Sequence, residues 1–384
     1  MRDKNFTKRL LFPALAILLS TALSLVVAEI MLRFFETKNA SKILDYGDTV
    51  GGGLKEGGLL KSDFNDYVVD SSGKKIKWVT NSAGFKNRQE FLKEKPEGTT
   101  RIMALGDSFM AGFRVGQEEF LPYLWEDWLN KNYKTHEVLV SMIESPNTGL
   151  EYLTKYGLSY NPDMVLLGIT LGNDIWQTSS LNNYDEMIPE NCLLKKSFPK
   201  KILWAANFVY SHLRTVELFY NPPRAIISSD KKYIKTRLNP RLFDLIHGLG
   251  FYLKDLTYKT EEVWSVFFNT LLKYQTLLKE KNIKFSLAIF PQRYQVQPID
   301  WKLAVYEYGL KESCFDLMLP NKKINDFCNA NGISCIDPTL KMKEDYLKTD
   351  QGMYGLKGDM HWNKEGHLKY FSHSREWLAK ALKG

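Results

Sequence analysis

The length and composition of the chain exclude a disordered protein. It has 384 residues, of which 44% are hydrophobic and 25% are charged, as is typical of a globular protein with a large core. The formal net charge of +8 is compatible with anionic surroundings. Because no nucleic-acid-binding motif accompanies that charge, we expect no nucleic-acid partner.

The first clear pattern is an apolar run near the N-terminus. Four lysine and arginine residues precede an uncharged run over residues 10–28. A helix over this run is about 28 Å long, close to the thickness of a bilayer's hydrocarbon core. The pattern predicts a cytoplasmic stub and membrane anchor within residues 1–36, with the rest of the chain outside the cytoplasm. A cleaved signal peptide, which would give a secreted protein, is the alternative.

A glycine-rich stretch follows the apolar run. The sequence "GDTVGGGLKEGGLL" is typical of a flexible spacer, and we predict a linker over residues 37–66. A single globular domain is then predicted over residues 67–384.

This domain alternates between short apolar runs and amphipathic stretches. The runs "TRIMAL", "HEVLVSMI", "DMVLLGIT", "IKFSLAIF" and "ISCID" are predicted strands. The stretches between and after them, such as "VWSVFFNTLLKYQTLLKEKN" and "KEGHLKYFSHSREWLAKALK", are predicted helices. The alternation indicates an α/β fold, with a parallel sheet covered by helices on both faces.

Residues 177–260 interrupt the alternation. They are rich in aromatic and basic residues and are predicted to form a mainly helical insertion. The insertion either packs on the core and solvates its lysines, or forms a cap that shapes a substrate site.

The four cysteines leave two interpretations open. Disulfides are plausible if the domain lies outside the cytoplasm, and buried free thiols are the alternative. The sequence does not choose among the three possible pairings of Cys192, Cys314, Cys328 and Cys335. Their spacing does not match a zinc site, and we expect no metal.

Candidate functional residues follow the predicted strands. Ser108 comes after the first strand of the alternation in "ALGDSF", and Asn173 comes after the third in "LGND". Ligands of such sheets bind beyond the carboxyl ends of the strands, so both residues are predicted to lie at one edge. A helix beginning near Ser108 would add a favourable dipole there.

A base for this serine is predicted near the C-terminus, in "GDMHWN". A serine hydroxyl needs a base within hydrogen-bonding distance to act as a nucleophile, and the imidazole of His361 is a candidate. Asp359 lies two residues earlier, on the same side of an extended loop, and could orient that imidazole. The backbone N–H of Ser108 and the side-chain amide of Asn173 could stabilise an oxyanion.

Other polar residues of these motifs have simpler interpretations. Asp107 and Asp174 are expected to fix local turns. His367 and His373, on the last helix, are expected to be structural or exposed. Trp362 either packs beside His361 or belongs to the core.

The motifs "GDSF", "GND" and "DMHWN", in this order, resemble those of the SGNH (GDSL-type) hydrolases, and more narrowly their bacterial membrane-anchored members. The resemblance runs from about residue 78 to the C-terminus and includes "TNSAGFKNRQEF" and "IFPQRYQV". It implies a flavodoxin-like three-layer α/β/α sandwich and no metal or organic cofactor. It also implies a Ser108–His361–Asp359 triad, with Asn173 as an oxyanion donor.

One position departs from the family pattern. The family usually has a glycine after the second strand, whose backbone N–H is a third oxyanion donor. An ungapped match puts Ser145 there, and a shifted register would use Gly149. We therefore expect the donor at Ser145 or at Gly149.

Together, these features predict a membrane-anchored serine esterase, acylhydrolase or O-acyltransferase, located outside the cytoplasm. The expected substrates are acyl esters, including acetyl esters, of cell-surface glycans or lipids. A non-catalytic surface protein that binds a glycan or a partner is the alternative. The acyl group, the acceptor and the oligomeric state are not indicated by the sequence.

Overall fold

The computed structural model describes residues 51–69, 75–179, 188–193, 248–355 and 360–383, with a few isolated positions between 20 and 31. Most of the predicted anchor over residues 10–28 and most of the predicted insertion therefore lie outside the described residues. Where the chain is described, it contains no helix that is both long and apolar enough to span a membrane. The features below belong to one compact unit, Leu44–Lys195 with Arg241–Gly384.

A seven-stranded sheet forms the centre of this unit, and a separate antiparallel hairpin accompanies it. The strands of the sheet are Gly51–Lys55 (β1), Gly58–Leu60 (β2), Thr100–Gly106 (β5), His136–Met142 (β6), Met164–Thr170 (β7), Lys284–Phe290 (β8) and Ser334–Ile336 (β9). The hairpin consists of Asn65–Val69 (β3) and Lys75–Val79 (β4).

The strand order is β1-β2-β6-β5-β7-β8-β9, and all neighbouring strands are parallel except β1 and β2. The last five strands in this order have the 2-1-3-4-5 arrangement of flavodoxin-like sheets. The chain leaves β5 towards β6 and returns on the other side of β5 to form β7. The carboxyl ends of β5 and β7 therefore flank a topological switch point, where ligands of such sheets bind.

Helices follow the strands of the parallel sheet. They are Leu121–Asn132 (α1), Pro146–Lys155 (α2), Asp174–Gln177 (α3), Tyr258–Glu280 (α4), Arg293–Val296 (α5), Pro298–Tyr308 (α6), Leu319–Asn331 (α7), Thr339–Thr349 (α8) and Lys364–Lys383 (α9). Short 3-10 turns lie at Gly157–Tyr160, Glu190–Cys192, Leu249–Tyr252 and Glu312–Cys314.

Alternate residues of the strands point into two hydrophobic cores. Met103 and Leu105 of β5 pack with buried side chains of α2 and α4, whereas Ile102 and Ala104 pack with those of α1 and α9. Since successive strand residues face opposite sides, this division places a layer of helices on each face of the sheet. The predicted three-layer α/β/α arrangement with a parallel sheet is confirmed.

The prediction of a flexible linker up to residue 66 is wrong for residues 51–60, which form β1 and β2 of the sheet. Gly58 pairs with Met142 of β6 and has φ +87°. A Cβ atom at this position would overlap the carbonyl oxygen of Met142. Glycine here permits a close approach of two strands, a role that composition does not distinguish from flexibility.

All four cysteines are paired, as Cys192–Cys314 and Cys328–Cys335. The first disulfide joins two segments that also share backbone contacts. Leu193 bridges Leu310, and the N–H of Lys311 donates to the carbonyl of Cys192 at 2.9 Å. The disulfide interpretation of the cysteines therefore holds in this structure, and the pairing that the sequence left open is determined.

Candidate active site

The predicted nucleophile lies in a tight turn after β5. The carbonyls of Asp107, Ser108 and Phe109 accept hydrogen bonds from the N–H groups three to five residues later, at 2.9–3.1 Å. The first helix after this turn begins only at Leu121. The predicted contribution of a helix dipole at Ser108 is therefore not supported, and a turn presents the serine instead.

The structure brings Ser108 and His361 together. The distance between Ser108 Oγ and His361 Nε2 is 2.7 Å, although the two residues are 253 positions apart. Both are only partly buried, so a substrate can reach them. A hydroxyl hydrogen-bonded to an imidazole nitrogen can transfer its proton to that nitrogen as it attacks an electrophile. The geometry is that of a nucleophile with its general base.

Aromatic rings hold the imidazole in place. The His361 ring lies 5.5 Å from the ring of Phe109 and 5.6 Å from that of Phe113, measured between centroids. Both phenylalanines belong to the turn that carries Ser108. Trp362, by contrast, is fully buried and packs on Phe109 and Phe290, so it belongs to the core.

The segment before His361 is tied to residues that follow β8. The N–H of Gly355 donates to the carbonyl of His361 at 2.8 Å, and the carbonyl of Gly355 accepts from Arg293 Nη1 at 2.9 Å. Arg293 also forms a 2.8 Å ion pair with the buried Asp300. The motif "IFPQRYQV" contains this arginine, and no sequence pattern connects the motif with the histidine.

Asp359 lies outside the described residues, so the third member of the predicted triad stays a prediction.

Asn173 is linked to the nucleophile turn through Asp107. Asn173 Nδ2 donates to Asp107 Oδ2 at 3.0 Å, while Asp107 Oδ1 accepts from the N–H of Phe109 and from Thr170 Oγ1, each at 2.9 Å. One carboxylate thus fixes the amide of Asn173 relative to the turn that carries Ser108. The second N–H of that amide is not used in this bond and can serve an oxyanion.

The electrostatics of this edge reflect burial. Burial raises the pKa of Asp107, against the hydrogen bonds from Asn173, Phe109 and Thr170 that favour its charged form. Burial and the neighbouring Asp107 raise the pKa of Asp174 well above its usual range. Asp174 Oδ2 accepts from the N–H of Thr170 at 2.6 Å. These contacts support the expected role of both aspartates in fixing local turns.

The N–H groups of Ser145 and Gly149, the two candidates for a third oxyanion donor, both donate hydrogen bonds at the beginning of α2. The N–H of Ser145 donates to Thr148 Oγ1 at 2.9 Å, because Ser145 is the N-cap residue of α2 and forms a capping box with Thr148. Gly149 lies inside α2, and its N–H donates to the carbonyl of Ser145 at 2.9 Å. Both groups already have acceptors.

The two other histidines of the last helix have structural contacts, as expected. His367 is buried, and its Nδ1 accepts a hydrogen bond from the N–H of Leu121, at the beginning of α1, at 3.2 Å. His373 Nε2 lies 2.9 Å from Asp345 Oδ2. His367 therefore joins α9 to α1.

Among known proteins, only solved structures match this chain. No family model matches the chain, and no curated protein matches it. Its fold is similar to a lipase/acylhydrolase from Enterococcus faecalis, with 11% identity and a TM-score of 0.37 over 74% of this chain and 96% of that one. It is also similar to a carbohydrate acetylesterase family member from Sinorhizobium meliloti, with 9% identity and a TM-score of 0.36 over 74% and 100%.

A third neighbour is a GDSL-like lipase from Bacteroides thetaiotaomicron, with 11% identity and a TM-score of 0.32 over 73% of this chain and 89% of that one. The term "GDSL-like" in the name of this neighbour refers to the family whose motifs the sequence resembles. At these TM-scores the likeness carries no argument about function. The arrangement of Ser108, His361, Asp107 and Asn173 is what indicates a function.

Proposed function

We propose that the protein is a serine esterase in which Ser108 is the nucleophile and His361 the general base. The observation that carries this proposal is the 2.7 Å distance between Ser108 Oγ and His361 Nε2. Asp359 is proposed as the residue that orients His361, since it lies two residues earlier in the chain.

The proposed reaction has two half-reactions. Ser108 Oγ attacks the carbonyl carbon of an acyl ester, and the serine proton passes to His361 Nε2. The imidazolium then protonates the leaving alcohol as the ester bond breaks, which leaves an acyl group on Ser108. An acceptor hydroxyl, from water or from a sugar, attacks this acyl-enzyme with His361 again as the base. Water gives an esterase, and a sugar gives an O-acyltransferase.

The oxyanion of each half-reaction needs fixed donors. Asn173 is suited to this role because its Nδ2 donates one hydrogen to Asp107 Oδ2, 3.0 Å away, which directs the other hydrogen. Such a preorganised donor requires no rearrangement as charge develops. The backbone N–H of Ser108 is the second proposed donor.

We further propose that the protein is anchored to a bacterial membrane, with its catalytic domain outside the cytoplasm. The cations and the uncharged run over residues 10–28 support this proposal, and so do the two disulfides, which persist in oxidising compartments. The proposed substrates are acyl esters of glycans or lipids at the cell surface.

One observation favours a second candidate, a non-catalytic protein that binds a glycan or a partner. The N–H of Ser145, at the position where the resembled family has an oxyanion donor, is engaged by Thr148. Loss of one such donor typically costs about 3–4 kcal/mol of transition-state stabilisation.

Hydrolysis of p-nitrophenyl acetate by the purified protein and its Ser108→Ala variant separates the two candidates. The esterase proposal predicts a rate for the wild-type protein well above that of the variant, at equal thermal stability. Equal rates would mean that Ser108 is not the source of the activity.

A further inference from the structure

Lys86 is a buried lysine that the proposed mechanism does not use. Its side chain is fully buried, and none of the ion pairs among the described residues includes it. Its Nζ donates a hydrogen bond to the carbonyl of Gly112 at 3.0 Å. The same Nζ lies 4.2 Å from the ring centroid of Trp78 and 4.3 Å from that of Phe120.

A buried amine without a carboxylate partner is costly for the folded state. Burial lowers the pKa of Lys86 well below its usual range, because the charged form loses its hydration. The two aromatic rings and a single carbonyl offset only part of this cost. An apolar side chain of similar length would fill the same space without the cost of burying an amine. The lysine therefore calls for an explanation other than stability.

The carbonyl that Lys86 holds belongs to the turn of the nucleophile. The N–H of Gly112 donates to the carbonyl of Phe109 at 3.1 Å, and the N–H of Phe113 donates to that of Ser108 at 2.9 Å. Gly112 has φ +62°, and a Cβ atom there would overlap Phe120 Cβ. Phe120 thus packs closely against Gly112, and Lys86 binds the Gly112 carbonyl.

The same turn also positions the general base. Phe109 and Phe113 precede and follow the segment that Lys86 holds, and both rings contact His361. A shift of this turn would therefore displace Ser108 and the two phenylalanine rings together, relative to the imidazole of His361.

Lys86 is itself anchored on the sheet. Its N–H donates to the carbonyl of Val140 in β6 at 3.0 Å. The side chain of the next residue, Asn87, bonds the same strand twice, to the carbonyl of Val138 at 2.9 Å and to the N–H of Val140 at 3.1 Å. The lysine thus connects a rigid strand to the turn of Ser108.

We propose that Lys86 is a positioning residue, which holds the Gly112 carbonyl from β6 and so keeps Ser108 within hydrogen-bonding distance of His361. This inference rests on the proposed role of Ser108 as nucleophile. It also assigns a role to the motif "TNSAGFKNRQEF", which contains Lys86 and Asn87.

The test compares the second-order rate of Ser108 labelling by a fluorophosphonate with the thermal unfolding midpoint. Lys86→Met removes the donor and the buried amine, and keeps an unbranched side chain that is one atom shorter. We expect labelling to fall about 10- to 100-fold, since small displacements of a reacting group cost this much. The midpoint should stay within a few degrees of the wild-type value or rise. With p-nitrophenyl acetate, kcat should fall while KM changes little.

Lys95→Met is the matched control. The Lys95 side chain is also largely buried, but it pairs with Asp163 at 2.5 Å at the opposite edge of the sheet. We expect this variant to have a lower midpoint and an unchanged labelling rate. A wild-type labelling rate for folded Lys86→Met would overturn the proposal. The proposal would also be overturned if the labelling rate and the thermal unfolding midpoint fell together in both variants.

If Lys86→Met does not fold, Lys86→Gln replaces it, because its amide donor is one bond too short to reach Gly112. The same reduction is expected, and labelling at the wild-type rate again contradicts the proposal. If the folded wild-type protein is not labelled at Ser108, the proposed function itself fails, which is a different result from a failure of the Lys86 inference.

Discussion

The substitution Asp107→Asn tests how the oxyanion donor is held. It keeps the shape of the side chain but replaces a carboxylate oxygen by an amide. The bond from Asn173 Nδ2 to Asp107 Oδ2 is the one hydrogen bond that the Asn173 side chain forms within the described residues. Hydrogen bonds to charged groups are worth about 1.5–3 kcal/mol. At about 1.4 kcal/mol per factor of ten, the expected loss of kcat is roughly 10- to 150-fold.

The loss should not exceed that of Asn173→Ala, which removes the donor itself and typically costs about 100- to 1,000-fold. The assay is steady-state hydrolysis of p-nitrophenyl acetate by both single variants and the double variant. Because Asp107 acts through Asn173, the double variant should be hardly slower than Asn173→Ala alone. Thr170→Val removes a different bond to the same carboxylate and should cost less than Asp107→Asn. Multiplicative effects of Asp107→Asn and Asn173→Ala would refute this reasoning.

Three further predictions concern stability and the corrected positions. Burial, with smaller effects of the neighbouring Lys86 and His361, lowers the pKa of His367 to about 3, whereas the unfolded residue titrates near 6.5. The unfolded state therefore binds more protons between these values, so the free energy of unfolding falls as the pH decreases from about 6.5 to about 3. At pH 4.5 this loss is roughly 3 kcal/mol, and urea titrations of His367→Gln should lack it; an unchanged pH dependence would contradict the assignment. Gly58→Ala should destabilise the protein by about 3 kcal/mol or more, against about 1 kcal/mol for Gly98→Ala, where a Cβ has open space despite a similar positive φ; equal costs would restore the interpretation of residues 51–60 as a linker. Thr148→Val frees the N–H of Ser145 and should cost about 1 kcal/mol in chemical denaturation, while kcat/KM stays unchanged; a gain in kcat/KM would show that this N–H serves the oxyanion.

The alternation of apolar runs and amphipathic stretches was sufficient to predict the central sheet. β5–β9 form where buried runs were recognised, and α9 spans the predicted Lys364–Lys383. The same pattern is therefore sufficient to place Ser108 and Asn173 at one edge of the sheet.

Other features depend on contacts that no local pattern encodes. Gly58 of β2 allows a close approach to β6, yet the composition of the surrounding stretch is that of a flexible spacer. Asp107 joins Asn173 across 66 positions, and Lys86 reaches Gly112 across 26. At Ser145, by contrast, the local sequence is informative, because Ser-Pro before a helix is a recognisable N-cap signal. The family pattern led instead to the expectation of an oxyanion donor.

The most direct test of the central claim is peptide mass spectrometry after reaction of the folded protein with a fluorophosphonate. The account predicts one phosphonyl group, on Ser108, and a rate of labelling that falls by orders of magnitude in a folded His361→Asn variant. An unlabelled Ser108 in folded protein, or labelling that is equally fast without the imidazole, would contradict it.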